Sequence, residues 1–75
     1  MRDLPIRGES IRLGQALKLG GLAGSGGEAR ALVAEGAITV NGAVETRRGR
    51  QLRRGDVLAL GEQALRIAPE AVGQR

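Results

Sequence analysis

Hydrophobic and polar positions follow two different periods along this chain, and the change between them divides it. From Leu13, the apolar residues Leu13, Ala16 and Leu17 recur at helical spacing, and Gly20-Gly21 supplies a stop. This predicts a first helix of about two turns with Lys18 facing outward. Gly14 costs roughly 1 kcal/mol against alanine inside a helix, so a start just after it is the alternative. Leu22 and Ala23 pack back across a short connection, and Ser25-Gly26-Gly27-Glu28 has the spacing of a capping box. A second helix follows with Ala29, Leu32 and Val33 on its apolar stripe and Gly36 just past its end.

Beyond Gly36 the period becomes two, with Ile38 and Val40 alternating with Ala37 and Thr39, and Asn41-Gly42 marks a hairpin. Two registers are open. A two-residue turn sets Val40 opposite Ala43 and Ile38 opposite Glu45; a three-residue turn pairs Val40 with Val44 and Ile38 with Thr46. The second buries more apolar surface and is the one favoured. A basic loop, Arg47 to Arg54, then leads through the Gly55-Asp56 turn to a strand over 57–60. Gly61-Glu62 turns the chain into a last strand over 64–67, with Leu65 and Ile67 on one face. Pro69 closes the ordered part.

Residues 1–10 carry mixed charge, Pro5 and no sustained period, and are read as an arm or edge segment without assigned structure. The expected organisation is an N-terminal arm (1–10), one domain (11–68) and a C-terminal tail (69–75). Its fold class is α+β: two short helices packed on a small antiparallel sheet of three to four strands.

Composition narrows the function classes. With 75 residues the chain supports one core, and without Phe, Tyr or Trp that core is built from Leu, Ile, Val and Ala. Neither cysteine nor histidine is present, which argues against a disulfide framework or a zinc site and leaves a serine without its usual base. Two serines, two threonines, one lysine and scattered carboxylates make no catalytic constellation, so no enzymatic activity, cofactor or metal is expected. The glycine-rich Gly24–Gly27 stretch lacks the ending of a nucleotide phosphate loop. Apolar runs fall far short of the ~20 residues that span a bilayer, no secretion signal is evident, and no helix has large apolar residues on one face, so a cytoplasmic, membrane-free protein is expected.

Charge adds the main functional clue. The formal net charge is +4, from 12 bases and 8 acids. Five arginines (Arg47, Arg48, Arg50, Arg53, Arg54) against Glu45 account for the whole excess, because the other 65 residues hold seven bases and seven acids. Only one base is lysine, and arginine's planar fork suits bidentate contact with phosphate. A solvated loop is the plain alternative. Free N–H groups at Gly26 and Gly27, in the first turn of the second helix, could seat an anion with Ser25 and Arg30; local physics favours the plainer reading, in which the glycines merely permit a tight helix connection and Glu28 opposes a nearby anion. Lys18 and the loop arginines complete the candidate basic face. Lacking aromatic residues on which to stack bases, such a face would read backbone geometry, favouring structured RNA over a single strand.

Taken in order, Arg12-Leu13, Leu17, Gly21-Leu22-Ala23, Ser25, Ala29-Arg30, Leu32-Val33, Gly36, Ile38-Thr39-Val40-Asn41-Gly42 and Gly55-Asp56 resemble the S-four-like, or alpha-L, RNA-binding domain, named for the fourth protein of the small ribosomal subunit. Ser25–Ala29 and Val44–Arg50 look like its small stand-alone bacterial branch. The resemblance implies two helices on a small sheet, with RNA bound across the helices and the loop after the hairpin, at Lys18, Ser25, Arg30 and the loop arginines. Two departures stand out: many relatives carry an acid at the place of Gly14 and a basic residue at that of Gly26. The expected partner is structured RNA, ribosomal or transfer, with a role in ribosome assembly or translation and a monomeric state. The competing expectation is a protein-interaction module that docks its arginine loop on an acidic partner.

Overall fold

The computed structural model describes residues 1–70, and the last five residues lie outside that description. The elements run β1 (Arg2–Ile6), β2 (Ser10–Arg12), α1 (Leu13–Leu19), α2 (Gly26–Ala34), β3 (Ile38–Val40), β4 (Ala43–Val44), β5 (Gln51–Arg53), β6 (Val57–Leu60) and β7 (Gln63–Pro69). Five strands form one sheet in the order β1-β7-β6-β3-β4, and β2 pairs with β5 in a separate ribbon. The α+β class and the two helices are as expected. The main sheet is wider than three or four strands, and it is mixed, because β1 runs parallel to β7 while the remaining pairs are antiparallel.

Both helices have local causes. In α1, Leu13, Ala16 and Leu17 are buried, and the chain leaves through Gly20 into Gly21, whose φ of 80° is the left-handed conformation that closes a helix. Gly14 lies inside α1. In α2, the Ser25 side chain accepts the Glu28 N–H at 3.1 Å. The Glu28 carboxylate reaches back one residue further than in the usual box and accepts from the Gly24 N–H. Leu32 is only half-buried, whereas Ala29 and Val33 are fully inside.

One core joins all layers. Val40, Leu58 and Leu65 form a row across β3, β6 and β7, and Ile67 and Leu4 extend the same side onto β1. Thr39, Ala59 and Ala64 form the next row, on the opposite face.

Four sequence readings are corrected here. Of the two readings of residues 1–10, the edge segment holds and the arm does not: Leu4 and Ile6 are buried core residues of edge strand β1, and Ser10 begins β2. Pro5 is tolerated because β1 has a neighbour on one side only. At the other end, Pro69 belongs to β7 and pairs with Ile6, while the rest of the expected tail, apart from Glu70, lies outside the described residues.

The hairpin takes the two-residue register, Val40 opposite Ala43 and Thr39 opposite Val44, with the Glu45 N–H bonded to the Ile38 carbonyl at 3.0 Å. Asn41 and Gly42 both have positive φ, 53° and 88°, the geometry of the tight turn that matches strand twist. Turn chemistry therefore outweighs apolar burial: Val44 is left 63% exposed and Glu45 turns inward.

The basic segment is not one loop. Gln51–Arg53 forms β5 around the fully buried Leu52, which confines the irregular part to 45–50.

Candidate nucleic-acid interface

The irregular segment 45–50 is ordered by a buried carboxylate. Glu45 is 7% exposed and accepts from the Arg47 N–H at 3.0 Å, the Arg47 Nε and Nη2 at 3.0 and 3.3 Å, and the Arg50 Nη1 at 2.7 Å. These bonds, with the Arg47 side chain contributing most and the Arg50 side chain next, hold the Glu45 pKa down at about 2 against an ordinary 4.5. Between the two clamped arginines, the Arg50 N–H bonds to the Arg47 carbonyl at 3.1 Å and closes a turn over Arg48-Gly49. Two carbonyls of this turn then face α1: Leu13 N–H donates to Arg50 O at 2.9 Å and Gly14 N–H to Arg48 O at 3.0 Å. Helix α1 has no side-chain cap and no acid in its first turn, so the loop backbone performs the capping.

Docking the loop onto α1 creates a groove of about 330 Å³. Arg12, Lys18, Arg30 and Arg48 line it with Gln15, and Gly14, Gly26, Ala29 and Gly49 complete its walls. No carboxylate is among its lining residues, and all four cations are exposed. A second depression of about 300 Å³, between α2 and Thr46, adjoins it through Arg30 and Arg48. Around Gly26 the space is open: a Cβ there would meet nothing within 4 Å. The Gly26 and Gly27 N–H groups occupy the first turn of α2, where intrahelical acceptors are lacking. A larger depression of about 650 Å³ lies near Gly20–Leu22, but it combines Glu62 with an Arg2 guanidinium already bonded to the Gly20 carbonyl, and carries no concentration of one charge.

Of the candidates read from sequence, Lys18, Gly26, Arg30 and Arg48 come together in the groove. Ser25 and Gly27 lie beside it on the α2 entry, the Ser25 hydroxyl engaged as a cap. Arg47 and Arg50 are engaged by Glu45, Arg50 half-buried and Arg47 still 74% exposed. Arg53 lies in β5, opposite Ser10, and Arg54 beyond it reaches the Gly8 carbonyl at 3.4 Å. Arg12, Gly14, Gln15 and Gly49 were not among the binding candidates read from sequence. Arg12 had a readable signal, being a base immediately before the first apolar helical residue.

Asn41, Gly42, Gly55 and Asp56 serve turns, as their types imply. The Asn41 side chain accepts the Val57 N–H at 2.9 Å and donates to Asp56 at 3.1 Å, tying two turns together. The Asp56 carboxyl lies below its ordinary range chiefly because it accepts the Arg53 N–H. Among the described residues no group of three or more metal-ligating side chains occurs, and no helix is long and apolar enough to cross a membrane.

Among solved structures, the solution structure of YbcJ from E. coli, which reveals an alfaL motif involved in RNA-binding, aligns with a TM-score of 0.62 and 30% identity over 89% of this chain and 84% of that one. No curated protein sequence matches. The S4 domain model matches residues 4–68, from within β1 to within β7, with both helices and the arginine turn included. By that match the chain belongs to the S4 domain family.

Proposed function

We propose that this chain is a non-catalytic binder of structured RNA, which it grips by phosphate contacts in the groove between α1, α2 and the Arg48-Gly49 turn. The observation that carries the reading is the convergence of Arg12, Lys18, Arg30 and Arg48, from a strand, two helices and a loop, on one depression with no acid in its lining. Like charges held this close repel one another, and a polyanion relieves that repulsion. Glycine at 14, 26 and 49 lets a sugar-phosphate backbone approach the main chain. The absence of any aromatic residue leaves no stacking platform for a single strand, so shape and phosphate geometry are what the groove can read. YbcJ, with its RNA-binding motif, adds support from a relative of similar length. Ribosomal or transfer RNA, met during ribosome assembly or translation, is the class of partner this reading favours.

The test is a titration of a labelled RNA hairpin, a single strand and a DNA duplex with the native chain and an Arg30→Ala, Arg48→Ala double variant. Preference for the hairpin, lost in the variant, is expected. Equal, salt-labile binding to all three by both proteins would sink the reading and redirect attention to an acidic protein surface as the partner.

A further inference from the structure

We propose that Glu45 is a positioning residue for RNA binding, a carboxylate that ties down the Arg47 and Arg50 side chains in order to aim Arg48 into the groove; this rests on the RNA reading above. On sequence Arg47 and Arg50 belong with Arg48 as phosphate ligands, and an acid beside them looks like an obstacle to a polyanion. The geometry reverses both roles. Glu45 is 7% exposed, and its two oxygens collect the Arg47 and Arg50 side chains and the Arg47 N–H, the two ends of the turn that closes over Arg48-Gly49. The Arg48 and Arg50 carbonyls of the same turn receive the Gly14 and Leu13 N–H groups. One carboxylate thus fixes the turn, the turn fixes the α1 start, and the single arginine at its tip lines the groove. Burying Glu45 is sustainable only because both oxygens are paired with guanidinium groups.

A charge account and a positioning account predict opposite signs. Glu45→Gln removes a negative charge close to the groove, so charge alone gives tighter binding and a steeper salt dependence. Positioning gives weaker binding of the RNA hairpin, by roughly three- to tenfold, because the turn loosens and Arg48 loses its aim. The log-log salt slope should fall by about one, the contribution of a single phosphate contact.

A double-mutant cycle decides whether the effect runs through Arg48. If it does, Glu45→Gln costs nothing further in an Arg48→Ala background; additive losses would reduce Glu45 to general scaffolding and overturn the proposal, as would unchanged or tighter binding by Glu45→Gln alone. Should Glu45→Gln fail to fold, Arg50→Gln, which leaves the carboxylate its Arg47 partner, enters the same cycle: non-additivity with Arg48→Ala supports positioning, and additivity contradicts it. Failure of the underlying reading is separable. There, Arg48→Ala itself leaves hairpin affinity unchanged; where Arg48→Ala weakens binding without coupling to position 45, only the positioning role is lost.

Discussion

Glu45 makes the stability of this small domain sensitive to acid. Its carboxyl titrates at about 2 in the folded chain against an ordinary 4.5, so the stability it provides is complete above pH 4.5 and is lost as pH falls from 4.5 toward 2. Denaturant midpoints across that window should drop more steeply for the native chain than for Glu45→Gln; parallel curves would show that the carboxylate is not paired in solution. Two glycines give opposite expectations. A Cβ at Gly20 would overlap the Leu65 side chain and lie 3.1 Å from the Ala16 carbonyl, so Gly20→Ala should destabilise by about 1–3 kcal/mol. At Gly14 the nearest atoms, the Arg48 carbonyl and Cβ, would be 3.6 and 3.7 Å away, which is ordinary contact. Gly14→Ala should therefore stabilise by roughly 0.4–1 kcal/mol, as read from urea midpoints.

At the scale of elements, β1 carries more of the fold than a terminal segment usually does. Leu4 is 6% exposed and Ile6 4%, both inside the common core, so Leu4→Ala should cost about 2–5 kcal/mol in equilibrium unfolding. A bare arm would show almost no change. Both helices and the tight turn were legible in the sequence because each is written within about ten residues: Leu13, Ala16 and Leu17 for α1, the Ser25 cap for α2, Asn41-Gly42 for the hairpin. Strand β1 was not, since its partner is at the other end of the chain; Arg66 of β7 reaches Asp3 of β1 at 3.1 Å across 63 residues. Nor was β5, a three-residue strand with one apolar residue in a run of charge, Leu52. At the site, charge counting located the arginine cluster but not the pairing inside it: the hairpin register turns Glu45 inward, and that local pairing separates Arg47 and Arg50, held by Glu45, from Arg48, held by nothing but its backbone.

Over the whole molecule, pairing sorts the bases more sharply than net charge does. Arg7 meets Glu70, Arg66 meets Asp3, and Arg47 and Arg50 share Glu45, whereas no carboxylate among the described residues lies within 4.0 Å of Arg12, Lys18, Arg30 or Arg48. Arg2, Arg53 and Arg54 also lack a carboxylate within that distance but lie outside the groove; the four bases that line it are all unpaired. Such an arrangement adds little to folding and is suited to a polyanion, whose bound counterions are released as phosphates are neutralised. The most direct test is therefore the salt dependence of affinity for a folded RNA, measured for the native chain and Arg48→Ala. With about four phosphates contacted, the log-log slope should be roughly −3 to −4 for the native chain and shallower by about one in the variant. A slope near zero, or one that Arg48→Ala leaves untouched, would contradict phosphate recognition in this groove.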